Sequence, residues 1–136
     1  MKRYEFAKYA ALPGRILISL IFILAGYHKI GGFAHTAAYM AAKGLPAAPL
    51  LLVLTIAIEL GGGLMLLLGW NARWAAAVFF LWLIPVTLVF HPFWAADPGQ
   101  VQNQTNHFMK NLAIMGAMLY IVAHGPGPFS LGRERC

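Results

Sequence analysis

Residues Leu50–Leu68 read LLLVLTIAIELGGGLMLLL: an apolar run with one carboxylate, Glu59, in its middle, followed by Gly61, Gly62 and Gly63. A helix rises ~1.5 Å per residue, so ~20 apolar residues cross the ~30 Å hydrocarbon layer of a bilayer. The stretch is therefore read as a transmembrane helix with Glu59 about half-way through. An isolated charge at that depth costs at least ~2.5–3.5 kcal/mol. A proton or a cation must neutralise it. The glycines strip the helix of bulk just beyond Glu59, so another helix can come close there.

The rest of the composition agrees. The chain has 136 residues, 60% of them hydrophobic and 10% charged, with a mean hydropathy of +0.69. Soluble domains carry ~25% charged residues. The length suits one small helical bundle, a single domain over 1–136. The sole cysteine, Cys136, excludes a disulfide framework, a Cys-x-x-Cys redox pair and a cysteine zinc site. Redox chemistry here would need a bound cofactor or a partner. The net charge of +6 is not a nucleic-acid footprint. Lys2, Arg3, Lys8 and Arg15 precede the first apolar run, and Arg133 and Arg135 close the chain, as charges flanking membrane helices do. The basic, apolar N-terminus resembles a signal peptide but lacks a small-residue cleavage pattern, so it is read as a membrane helix.

Four apolar segments follow: Pro13 to Ile30, opening on a helix-starting proline; Pro49 to Leu68; Ala72 to Phe90, with a kink expected at Pro85; and His107 to His124, stopped by Gly125-Pro126-Gly127-Pro128. The runs are too long and too uniform for barrel strands. The fold class is all-α, an integral membrane four-helix bundle. Phe33 to Lys43 reads as a short interfacial helix between helices one and two. Gly69 to Asn71 is a tight turn, and Phe93 to Asn106 a polar loop. With four spans both termini share one side. That side carries Lys2, Arg3, Lys8, Arg15, Arg73, Arg133 and Arg135, against Lys29, Lys43 and Lys110 on the other. The positive-inside rule puts the termini in the cytoplasm.

On this topology His28, Lys29, His35, His91, His107, Lys110 and Asn111 gather at the non-cytoplasmic face, above Glu59. His107, Lys110 and Asn111 stand at i, i+3 and i+4 on one helix face. Thr55, Glu59, Gly62 and Gly63 share a face of helix two, and Arg15, Ser19, Gly26 and Lys29 a stripe of helix one. The expectation is a Glu59–Lys110 or Glu59–Lys29 pair, with His28, His91 and His107 rimming a cavity open to the outside. Glu59, Lys110 and His107 are the candidate catalytic groups. Lys29, His28, His91 and Asn111 are the candidate ligand-binding groups, and no metal is expected. Plainer readings stand beside these. A buried Glu–Lys pair can simply fix register, Lys29 can snorkel to the headgroups, and Asn111 can bond across helices.

Several motifs resemble the DoxX family of small bacterial inner-membrane proteins. They are GRILISLIFILAGYHKI at 14–30, GF at 32–33, GLP at 44–46, IELGGG at 58–63, HFMKNL at 107–112 and GPGPFSL at 125–131. The resemblance implies a four-helix transmembrane bundle in a bacterial inner membrane and an association with oxidoreductase systems. It carries Lys29, Glu59, His107, Lys110 and Asn111 over as polar positions of the family's motifs. Three functions fit: a quinone-linked membrane redox component, a small-molecule binding or transport protein, and a non-catalytic subunit of a membrane complex. A quinone is the first cofactor to consider, and a haem held by two histidines ranks below it. The expected partners are the bilayer, a small-molecule ligand, and a membrane redox partner or further copies of the chain.

Overall fold

The computed structural model describes residues 2–132, with side chains from Tyr4 onward. Arg133, Arg135 and Cys136, and the side chains of Lys2 and Arg3, lie outside the described residues. Five helices form: α1 (Lys2–Gly31), α2 (Phe33–Ala42), α3 (Ala48–Leu68), α4 (Ala72–Phe90) and α5 (Val101–His124). No strand occurs among the described residues. The chain is a helical membrane bundle, with α2 as the expected short helix between the first two long ones.

Two boundaries differ from the sequence reading. α1 does not start at Pro13 but runs through it from Lys2, because Glu5, Ala7, Lys8, Ala10 and Ala11 are good helix formers that carry the helix past the missing N–H. α1, α3 and α4 are long and apolar enough to cross a membrane. α5 starts at Val101 and not at His107, so the last six residues of the expected polar loop, 101–106, are helix; Gln102 Nε2 donates to Asn106 Oδ1 across one turn (3.1 Å). α5 has 24 residues, but Gln102, Asn103, Gln104, Asn106, His107 and Lys110 occupy its first turns, so its composition falls short of the other three.

The packing order follows from the small residues. α1 packs along the whole of α3, α4 packs along α5, and the middle of α3 touches both α1 and α4. Phe22 of α1 and Phe79 of α4 stack at 3.8 Å between ring centroids at the centre of the core, with Leu66, Ala76 and Met118 fully buried around them. Two of the three glycines after Glu59 allow this approach. A Cβ on Gly62 would stand 2.7 Å from Phe79 Cζ, and one on Gly63 2.8 Å from Ile23 Cγ1. Gly61 faces outward, with nothing within 4 Å.

One end of the bundle is closed by the chain itself. Arg15, read above as a flanking charge, is 4% exposed. Its guanidinium donates to the backbone oxygens of Leu67 (3.3 Å), Pro126 (2.8 Å) and Phe129 (2.9 Å). Leu131 and Gly132 donate their N–H groups to the Leu68 and Gly69 carbonyls, and Phe129 stacks on Tyr9. Gly69 turns the chain with φ 68°, a left-handed conformation that glycine adopts at little cost. The first half of α1, the α3–α4 turn and the segment after α5 thus meet at one end. α2 and the α4–α5 connection, with its 3-10 turn at Phe93–Ala95, lie towards the other.

Candidate functional site

Glu59 does not sit in regular α-helix. Residues Ile58–Gly62 form a single π-helical turn within α3, a local widening that recurs at functional sites. The glycines that follow make it tolerable: the helix is broadened where its neighbours need no space for side chains. Gly26 of α1 closes on the same turn, and a Cβ there would lie 2.8 Å from Leu60 Cγ and 3.3 Å from Glu59 Cβ.

The carboxylate is paired. Lys29, in the last turn of α1, places Nζ 2.8 Å from Glu59 Oε1 and 2.9 Å from Oε2. The Lys29 side chain is 28% exposed and that of Glu59 5%. An ammonium has three N–H donors and here gives two to the carboxylate. The third is available to a guest. Both residues line a cavity of about 170 Å³ whose other walls include Thr55, Trp82, Phe90 and His91. The cavity therefore offers a donor, an acceptor and aromatic faces together.

His91 closes one side. Its Nδ1 lies 2.9 Å from Gln104 Oε1; with the amide oxygen accepting, Nδ1 carries the proton and Nε2 is left as an acceptor. The His107 ring stacks on that of His91, at 4.9 Å between centroids and 18° between planes. This arrangement presents ring face to ring face and leaves no gap between two nitrogens for a haem plane. Among the described residues no three His, Cys, Asp or Glu side chains come together as a metal site requires.

The other expected residues are placed differently. Lys110 does not reach Glu59. It is exposed, lies 3.3 Å from His107 Nδ1, and borders a surface groove with Leu17 and Ile21 of α1. The reason is packing order: α5 lies on α4 rather than on α3. Asn111 is buried and donates through Nδ2 to Thr87 Oγ1 (3.1 Å), which in turn donates to the Leu83 carbonyl (2.6 Å). It is an interhelical tie between α4 and α5. His28 is exposed beside Tyr27 and His35 is exposed on α2; neither lines the cavity. The expected rim of three histidines reduces to His91, backed by His107.

Sequence reasoning missed Trp82, Phe90 and Met40 as cavity walls. Trp82, Val86 and Phe90 stand at i, i+4 and i+8, one helical stripe, so a period count on α4 would have found three of the eight lining residues. Met40 arrives from α2 by tertiary placement alone. A larger cleft of about 440 Å³, between α1 and the end of α5, is lined by Ala11, Arg15, His124 and Pro126 among others. It holds no carboxylate, and Arg15 there is engaged by three carbonyls.

Comparison with known proteins points in one direction. The family profile described as DoxX matches residues 10–92. Inner membrane protein YqjF of Escherichia coli is 37% identical over 133 residues, covering 98% of this chain and 95% of that protein. Inner membrane protein YphA of the same organism is 33% identical over 123 residues, 90% of this chain and 88% of that protein. A Surfeit locus protein 4 homolog of Schizosaccharomyces pombe is 30% identical over 73 residues, 52% of this chain and 24% of that protein. No solved structure matches.

Proposed function

Since the chain belongs to the DoxX family, with relatives that are inner membrane proteins of a bacterium, we propose that it is a bacterial inner-membrane protein that binds a small quinone-like carbonyl compound at Lys29 and Glu59. The observation that carries this reading is the half-buried ion pair lining a cavity walled by aromatic rings. The free Lys29 N–H donates to a carbonyl oxygen of the guest. The Glu59 carboxylate takes or returns the proton that accompanies a change in the guest's charge, as a positioned acid–base group does. Trp82 and Phe90 provide flat apolar faces for a ring. His91 lines the same space and supplies a second proton acceptor, with His107 stacked on it.

In this role the protein is a quinone-linked component of a membrane redox system. Reduction of a quinone to a quinol takes two electrons and two protons. Lys29, Glu59 and His91 handle protons only, so the electrons come from a partner protein carrying a dithiol or a flavin. Both termini lie on the cytoplasmic side, with α5 as the fourth crossing; the excess of Lys and Arg on that side supports the orientation. That α1 begins and α5 ends at the same end of the bundle is consistent with an even number of crossings.

Tryptophan fluorescence tests the reading. Trp70, Trp74 and Trp94 are exposed and Trp82 lines the cavity. A benzoquinone added to the protein in lipid nanodiscs should quench a component that Trp82→Phe removes and that Lys29→Met weakens ~10-fold or more, the effect of ~1.4 kcal/mol. Saturable quenching that survives both substitutions would place the guest elsewhere. If the guest were instead an organic anion held by Lys29, as in a binding or transport protein, a carboxylate-bearing aromatic would compete and Glu59→Gln would tighten it.

A further inference from the structure

The polar cavity is not isolated from the bilayer. Met40, Thr55, Trp82, Val86 and Phe90 line it, and the same five residues line a second, apolar groove of about 250 Å³. That groove runs on along α3 between Leu51 and Ile58 and along α4 between Trp82 and Val89. Each is an eight-residue stretch, seven rises or ~10 Å of helix from end to end. Both lie inside the segments long and apolar enough to cross a membrane, which puts the groove on the part of the bundle suited to lipid. Leu54, on its outer wall, is 51% exposed. Pro85 lies in the groove on α4.

We infer that the Lys29–Glu59 site takes a lipid-soluble substrate with a long apolar tail, which enters sideways from the bilayer between α3 and α4 and leaves its tail in this groove. The inference rests on the proposed reading of the site. It offers a route other than the expected opening to the outside solution. The argument is one of continuity and composition. A head group seated on Lys29 is separated from the groove only by walls the two spaces share, and beyond those walls Leu45, Leu51, Leu54, Ile58, Pro85 and Val89 offer a tail nothing but apolar contact. At ~30 Å³ for a group the size of a water molecule, 250 Å³ accommodates ~8 methylene-sized groups. A tail leaving lipid for this groove exchanges one apolar medium for another, so it gains little from the hydrophobic effect. The groove's contribution is access. It lets a molecule that never leaves the membrane bring a polar head to a buried ion pair.

The experiment compares two probes in nanodiscs, 2,3-dimethoxy-5-methylbenzoquinone without a tail and the same head with a decyl tail, each titrated by its concentration within the lipid and read by Trp82 quenching. The groove is filled by the pair Leu54→Phe and Val89→Phe, residues that line the groove and not the polar cavity. The filled variant should bind the tailed probe ~10-fold or more weakly, the effect of ~1.4 kcal/mol, and bind the tailless probe within about twofold of wild type. Equal losses for both probes, or no loss for either, would overturn the sideways route while leaving the head-group site standing. Absence of Trp82 quenching by either probe in the wild-type protein would overturn the site itself, and the route with it. If the groove holds only an ordinary phospholipid chain, both probes will be indifferent to the substitutions, which also overturns the inference.

Discussion

Removing the two halves of the ion pair should have unequal consequences. At 2.8 Å and an effective dielectric of ~20, the Lys29–Glu59 attraction is ~6 kcal/mol. Withdrawing each ion from water costs several kcal/mol, so the pair nets little. Lys29→Met leaves Glu59, whose side chain is 5% exposed, as an uncompensated carboxylate in mid-bundle, at ~3–5 kcal/mol. Glu59→Gln leaves an ammonium that is 28% exposed, in the last turn of α1. That chain can swing out to the headgroups, so the loss falls to ~1–2 kcal/mol, the low end for a group left without its partner. The double variant Lys29→Met/Glu59→Gln should cost less than Lys29→Met alone, because no charge is then stranded.

Reversible unfolding in mixed micelles, with SDS as denaturant and circular dichroism as the readout, gives all four corners of the cycle. The expected order of stability is wild type, then Glu59→Gln and the double variant, then Lys29→Met. Lys29→Met no worse than Glu59→Gln, or a double variant equal to the sum of the two losses, would refute the reasoning. Either result would mean that the two groups do not depend on each other and that water or a further cation reaches the carboxylate. Quinone quenching run on the same samples separates stability from function, since both single variants should lose binding even where Glu59→Gln stays folded.

Other substitutions probe the frame around the pair. Gly62→Val should destabilise by ~1–3 kcal/mol, because its side chain meets the Phe79 ring, whereas Gly61→Ala should be neutral or stabilise by up to ~1 kcal/mol, having open space around it; both are read by the same SDS titration. Asn111→Leu removes one interhelical bond to Thr87, which keeps its own bond to the Leu83 carbonyl, so the loss should be ~0.6 kcal/mol with quinone binding unchanged. Arg15→Lys cannot reproduce donation to three carbonyls; limited proteolysis should then cut the segment after Gly125 faster, while Trp82 quenching holds.

What could be read in the sequence was whatever repeats along one helix. Glu59 in a long apolar run, the glycines after it and the stripe ending at Lys29 are one-dimensional patterns, and the structure joins them as a pair. Lys110 shows where that reading stops. It and Asn111 are neighbours on α5, yet one residue turns a helix by ~100°; Asn111 is buried against Thr87 while Lys110 looks into the groove beside α1. Their i, i+3, i+4 spacing from His107 defined a face but not the helix that face would meet. Arg15 shows the same limit from another side. Its partners are backbone carbonyls of Leu67, Pro126 and Phe129, and a carbonyl has no letter in the sequence. Pro126 and Pro128 and the positive-φ glycines at 125 and 127 prevent helix there, which frees those oxygens to accept. In a bilayer every such oxygen needs a donor, so a buried arginine on a membrane helix implies a nearby stretch of broken backbone, and a Gly-Pro run implies a donor aimed at it. Paired in that way, the two signals carry long-range information that neither a charge count nor a hydropathy window contains.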